Sequence, residues 1–158
     1  MGSAFTVVLP LPAVLEHQKV NRVQRDASSF DKTHQTHVLV AEDNEINQMV
    51  AQRMLEKLGC QVSIAADGAE AIEMAVQGTY DLILMDLQMP HVTGVEACKH
   101  ILGELDDAPH IVAMTANVLE DEQQRCIDAG MSDFLAKPVK LEGLRSCLHK
   151  HGLDPPPQ

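Results

Sequence analysis

From Val38 onward, short apolar runs alternate with longer stretches in which apolar residues recur at helical spacing. The runs are Val38-Leu39-Val40 and residues 61–65, 81–86, 110–115 and 133–136. Runs this short read as strands, and strands separated by amphipathic helices read as βαβ units with a parallel sheet. Leu82-Ile83-Leu84-Met85 is apolar at every position, so the third strand is expected to be buried on both faces and central. The helices carry their own start and stop signals. Asn44 is an N-capping residue for the first, in which Ile46, Met49, Val50, Met54 and Leu58 recur at helical spacing, with Gly59 as its stop. Asp67 and Glu70 make an acidic capping box for the second, with Ile72, Ala75 and Val76 inward and Gly78 at its end. The third spans 94–105, the fourth 119–129 with Gly130 as its stop, and the fifth 141–149 on a stripe of Leu141, Leu144 and Leu148. Five strands and five helices in alternation specify an α/β fold.

The chain has 158 residues, 45% of them hydrophobic but only 3% aromatic, with no Trp. Its core must therefore come from Val, Ile, Leu, Met and Ala, which suits a sheet covered by helices. Net charge is −11 and unevenly placed: residues 38–151 carry 8 Lys and Arg against 19 Asp and Glu. An acidic folded part argues against nucleic acid as its partner, because phosphate contacts need clustered Lys and Arg. No apolar run approaches the roughly 18 residues that cross a bilayer, and the start lacks a basic region leading into a signal-type core, so a cytoplasmic segment is expected. Cys60, Cys98, Cys126 and Cys147 form no CxxC pair and are read as reduced thiols. Among the eight histidines there is no HExxH and no Cys/His cluster in sequence, and His149-Lys150-His151 reads as a solvated helix end.

Chemistry concentrates where the apolar runs stop. Glu42-Asp43 follows the first, Asp86 the third, Thr115 the fourth and Lys137-Pro138 the fifth. In an open parallel sheet the carboxyl ends of the strands share one crevice, so these residues can converge. Carboxylates crowded there repel by about 4 kcal/mol per close pair at ~4 Å and an effective dielectric near 20. A hard divalent cation with oxygen ligands relieves that repulsion. Added to a hydroxyl and an ammonium, it would surround a phosphoryl dianion, and a strand-end carboxylate can attack phosphorus in line to form an acyl phosphate.

The blocks Val38-Leu39-Val40-Ala41-Glu42-Asp43-Asn44, Leu84-Met85-Asp86-Leu87-Gln88-Met89-Pro90 with Gly94 downstream, Met114-Thr115-Ala116-Asn117 and Lys137-Pro138 resemble the receiver domain of two-component response regulators. The wording from Glu42 to Asn47 and from Asp86 to Pro90 resembles the receivers of hybrid sensor histidine kinases, and the likeness covers residues 38–151. It implies a flavodoxin-like, doubly wound sheet of five parallel strands in the order 2-1-3-4-5. It implies Asp86 as phosphoacceptor, with Lys137 and Thr115 contacting the phosphoryl oxygens. Mg²⁺, with Mn²⁺ as a substitute, would be held by Glu42, Asp43, Asp86 and the Gln88 backbone carbonyl. The amides of Leu87 and Ala116 would cradle the phosphate, Thr115 and Phe134 would switch together, the Lys137-Pro138 bond would be cis, and Gln88 and Asn117 would tune phosphoryl lifetime. The implied partner is a histidine kinase or histidine phosphotransfer domain; a weak homodimer is left open.

Three other readings compete, of which a pseudo-receiver is disfavoured because no site residue is missing. An aspartyl-nucleophile phosphatase also uses Asp and Mg²⁺, but typically places a second Asp two residues after the nucleophile, where this chain has Gln88. A flavodoxin-like binding module lacks its Ser/Thr/Gly-rich phosphate loop here. Residues 1–12 are expected to be the last strand of a histidine kinase ATP-binding domain or, at Met1-Gly2-Ser3, a cloning remnant. Residues 13–37 are read as a linker and 152–158 as a loose tail, so the chain is expected to be a piece of a hybrid kinase, whose parent protein is open to membrane anchoring.

Overall fold

The computed structural model describes residues 35–117 and 119–154. The order is β1 (His37–Ala41), α1 (Glu45–Lys57), β2 (Gln61–Ala65), α2 (Gly68–Gln77), β3 (Leu82–Asp86), α3 (Gly94–Glu104), β4 (His110–Thr115), α4 (Glu120–Ala129), β5 (Asp133–Ala136) and α5 (Leu141–Lys150). The expected strand at the start of the chain, the linker up to His34 and Pro155 to Gln158 lie outside the described residues.

All five strands pair in parallel in the order β2-β1-β3-β4-β5. Consecutive apolar residues are needed because both faces are covered and successive side chains point to opposite faces. Leu39, Ala41, Ile83, Met85, Ile111 and Ala113 pack with Ala71, Ala75, Ala97, Cys98, Ile101 and Cys126 from α2, α3 and α4. Val38, Val40, Leu82, Leu84, Val112 and Met114 pack on the other face with Ala51, Leu55, Leu144, Cys147 and Leu148 from α1 and α5. The small residues of the first set bring three helices close to the sheet. All four cysteines are free and buried.

The helix signals are realised with amendments. Asn44 caps α1 by accepting from the amides of Ile46 and Asn47. Asp67 accepts from the Glu70 amide at 2.7 Å, while Glu70 returns its bond to Ala66 rather than to Asp67. Thr93 and Glu96 form a complete capping box on α3. Of the α1 residues at helical spacing Leu58 is buried, as are Ala51 and Leu55, whereas Ile46, Met49 and Val50 are 72%, 52% and 42% exposed. The first turns of α1 follow the carboxyl end of β1 and stand at the crevice rim, so only the later turns have sheet beneath them. Val76 is exposed as well. The tail is not loose at its start. Gly152 has φ 72°, its amide donates to the His149 carbonyl and the Leu153 amide to that of Leu148, which ends α5 in a left-handed cap and packs Leu153 against the core.

Gly94 carries α3 directly over the end of β3. A Cβ there would lie 2.4 Å from the Asp86 carbonyl oxygen, whereas one at Gly103 would meet nothing within 4 Å. Gly94→Ala is expected to destabilise by about 1–3 kcal/mol, and Gly103→Ala to stabilise by about 0.5–1 kcal/mol by removing glycine's entropy from the helix. Urea unfolding of the two variants checks the opposite signs.

Candidate functional site

The order of strands reverses between β1 and β3, and the crevice beyond their carboxyl ends is where such sheets place polar sites. Glu42 leaves β1 with its amide bonded to the Ala65 carbonyl at 3.0 Å, and Asp86 ends β3. Each is only 2% exposed, and Thr115, at the end of β4, is 4% exposed. The Asp43 carboxylate is exposed and lies with those of Glu42 and Asp86 in one group whose oxygens fall within 4.8 Å of one another.

Lys137 joins the two buried members. Its Nζ lies 3.0 Å from Glu42 Oε2 and 3.0 Å from Asp86 Oδ2. Burial works against its charge, but the hydrogen bonds and attraction of Glu42 and Asp86 prevail and raise its pKa above the ordinary lysine value. The lysine is aimed by a turn in which its amide donates to the Thr115 carbonyl at 2.8 Å and its bond to Pro138 is cis, as expected. The remaining oxygens are also held. Asp86 Oδ1 accepts from the Gln88 amide at 3.1 Å, and Glu42 Oε1 from the Asn44 amide at 3.1 Å. Gln48, which the sequence did not single out, donates from Nε2 to the Glu42 carbonyl at 2.6 Å. Its place one turn after the capping Asn44 was the available signal.

One expectation for the phosphate cradle is corrected. The Leu87 amide donates to the Met114 carbonyl at 3.2 Å and so belongs to the β3–β4 ladder. The amide that faces the Asp86 carboxylate is that of Gln88. Ala116 lines a cleft of about 380 Å³ together with Glu42, Asn47, Val50, Lys137 and Pro138. The Thr115 hydroxyl is engaged locally, donating to the Asn117 carbonyl at 2.9 Å and accepting from the Asn117 amide at 3.0 Å. Phe134 is half-buried, packed against the core that lies under α2, α3 and α4. The Gln88 and Asn117 side chains are exposed at the rim.

A donor set made of three carboxylates suits a small hard cation such as Mg²⁺ or Mn²⁺ and disfavours softer metals. The residues present therefore fit the ion that the chemistry calls for.

The family model for the response regulator receiver domain matches residues 38–149. The chain belongs to the response regulator receiver family. It is 37% identical over 155 residues to the aerobic respiration control sensor protein ArcB of Escherichia coli K12, an alignment covering 94% of the chain and 19% of that protein. Hybrid signal transduction histidine kinase K of Dictyostelium discoideum is 37% identical over 158 residues, with 93% and 13% covered. The chain thus spans about a fifth or less of these relatives. Among solved structures, the receiver domain of sensor histidine kinase PA1611 from Pseudomonas aeruginosa PAO1 superposes with a TM-score of 0.70 at 37% identity, covering 75% of this chain and 98% of that one, and holds a magnesium ion in its active-site cleft. The Saccharomyces cerevisiae receiver of Ssk1, crystallised with the histidine phosphotransfer protein Ypd1, gives 0.68 at 33% identity, with 75% and 89% covered.

Replacing the bridging cation tests the electrostatic account. Lys137→Met leaves Glu42 and Asp86 buried without their partner and is expected to cost about 3–5 kcal/mol in the presence of chelator. Millimolar Mg²⁺ should restore much of it, so the rise in melting temperature on adding Mg²⁺ should be larger for the variant than for the native receiver. Equal rises would contradict the account.

Proposed function

We propose that this receiver takes a phosphoryl group from a phosphohistidine onto Asp86, changes the surface formed by α4, β5 and α5, and then passes the group on or loses it to water. The observation that carries the reading is the Asp86 carboxylate, buried yet held at both oxygens, by Lys137 Nζ at 3.0 Å and by the Gln88 amide at 3.1 Å. A nucleophile fixed in this way is already oriented for in-line attack.

In the reaction one Asp86 oxygen forms a bond to phosphorus as the bond from phosphorus to the donor imidazole breaks, and the imidazole keeps the electron pair. Lys137 is placed to follow the phosphoryl oxygens as charge moves from the carboxylate onto them. Glu42, Asp43, Asp86 and the Gln88 carbonyl would hold a Mg²⁺ ion, with Mn²⁺ as a substitute, which would supply the charge neutralisation that a carboxylate needs to approach a phosphoryl dianion. The Gln88 and Ala116 amides then face the phosphoryl oxygens. For Thr115 to donate to one of them, its bond to the Asn117 carbonyl must break. That exchange opens space for Phe134 and links the chemistry to the α4–β5–α5 face, a population shift driven by contacts that exist only with the phosphoryl group bound. Ala116 is small and leaves the acyl phosphate accessible, while Gln88 and Asn117 stand where they influence attacking water.

The exposed Ile46, Met49 and Val50 lie at the crevice rim, with Val50 on the cleft itself. They offer an apolar docking face beside the acceptor for a phosphohistidine-bearing partner, and the related Ssk1 receiver does form a complex with a histidine phosphotransfer protein. A cytoplasmic setting follows from such a partner, and no described helix is long and apolar enough to cross a membrane.

Two outcomes are expected. Acetyl phosphate with Mg²⁺ should add one acid-stable, base-labile phosphoryl group, and Asp86→Asn or removal of the metal should abolish it; steady turnover of small phosphate esters would instead favour a phosphatase. Met49→Glu should slow transfer from a phosphorylated histidine phosphotransfer protein by about tenfold or more, yet leave labelling by acetyl phosphate unchanged.

A further inference from the structure

At the end of the sheet remote from the crevice, the amino ends of β4 and β5 meet the last turn of α5. Asp133, Cys147 and His151 there bring a carboxylate oxygen, a thiol sulfur and an imidazole nitrogen within 4.8 Å of one another. Cys147 and His151 are four residues apart and share a helix face, while Asp133 is delivered by the first position of β5. A second observation points to a missing ligand. Among the described residues, His151 Nε2 is the one buried side-chain nitrogen or oxygen without a hydrogen-bond partner. The expectation of a solvated helix end thus holds for His149 and Lys150 but not for His151, which is half-buried.

The neighbours do not use up the donors. Asp133 Oδ2 is 3.2 Å from Lys150 Nζ and Oδ1 accepts from the Phe134 amide at 2.8 Å, so each oxygen keeps a lone pair. The ring of His110 lies over that of His151 with centroids 4.5 Å apart. Burial, with Asp133 adding to it and Lys150 opposing, pushes the Cys147 thiol up to about 11. Burial, followed by His110, lowers the pKa of His151 and leaves its ring neutral with a free lone pair.

We propose that Asp133, Cys147 and His151 form a binding site for a borderline-soft divalent cation of the Zn²⁺ class, its fourth position taken by water. One sulfur, one nitrogen and one oxygen match the donors that Zn²⁺ accepts and differ from the oxygen-only set in the crevice. Tetrahedral ligands sit roughly 3.5 Å apart, so donors within 4.8 Å of one another need draw in by at most about 1.3 Å, within reach of side-chain rotation at a helix end. On binding, the Cys147 thiol gives its proton to solvent as sulfur, nitrogen and oxygen each bond to the cation. The ion would compete with Lys150 for Asp133 and tie the end of α5 to the start of β5, the strand that carries Phe134.

The test uses the full chain, stripped with chelator and titrated with Co²⁺ as a coloured substitute for Zn²⁺. A sulfur-to-cobalt charge-transfer band should grow to one equivalent and vanish on adding Zn²⁺. Cys147→Ser should abolish the band, and His151→Gln, at a half-exposed position that tolerates the change, should weaken affinity at least about tenfold. Lys150→Gln should strengthen it, and Asp86→Asn should leave it unaltered, which separates this site from the crevice. No sulfur band with the native chain, or a band that survives His151→Gln at full affinity, would overturn the proposal.

Discussion

The crevice is organised by one balance of charge: two buried carboxylates, Glu42 and Asp86, share one ammonium, that of Lys137, at 3.0 Å on each side. The elements around it serve that contact. β1 and β3 bring the carboxylates to the point where strand order reverses, β5 and its turn deliver the lysine, the Asn44 and Gln88 amides hold the remaining carboxylate oxygens, and Gln48 holds the Glu42 main-chain carbonyl. With Asp43 exposed beside them, three carboxylates face one ammonium, an excess of two negative charges. That surplus negative charge suits a hard cation of the kind the related PA1611 receiver holds in its cleft.

Much of this was legible before the fold was known, for identifiable reasons. A strand buried on both faces must be apolar at every position, so Leu82-Ile83-Leu84-Met85 announced the sheet centre. Polar residues stranded at the ends of such runs had to meet, so Glu42, Asp86, Thr115 and Lys137 could be named together. The orientation of α1 was not legible, because Ile46, Met49 and Val50 have helical spacing whether they face core or partner. Only the sheet's edge decides which. The Leu87 amide was misassigned for a related reason: strand register, which is invisible in one sequence, commits it to Met114.

The two ends of the sheet also separate two kinds of chemistry. The carboxyl ends gather oxygen donors into the crevice, whereas the amino ends of β4 and β5 meet α5 with a sulfur, a nitrogen and an oxygen. Local motif scanning finds neither set whole. The strand ends became visible through their shared position, but Asp133 joins Cys147 and His151 only after β5 and α5 are packed. The polar atom left without a partner, His151 Nε2, is a signal that exists in the folded chain alone.

The central claim is that the phosphoryl group rests on the carboxylate shared with Lys137 and on no other acid in the cluster. Borohydride reduction of the freshly phosphorylated receiver, followed by peptide mass spectrometry, converts an aspartyl phosphate to homoserine and marks the position. The account predicts homoserine at position 86 with Glu42 and Asp43 intact. Reduction at either of those residues, or at none, would contradict it.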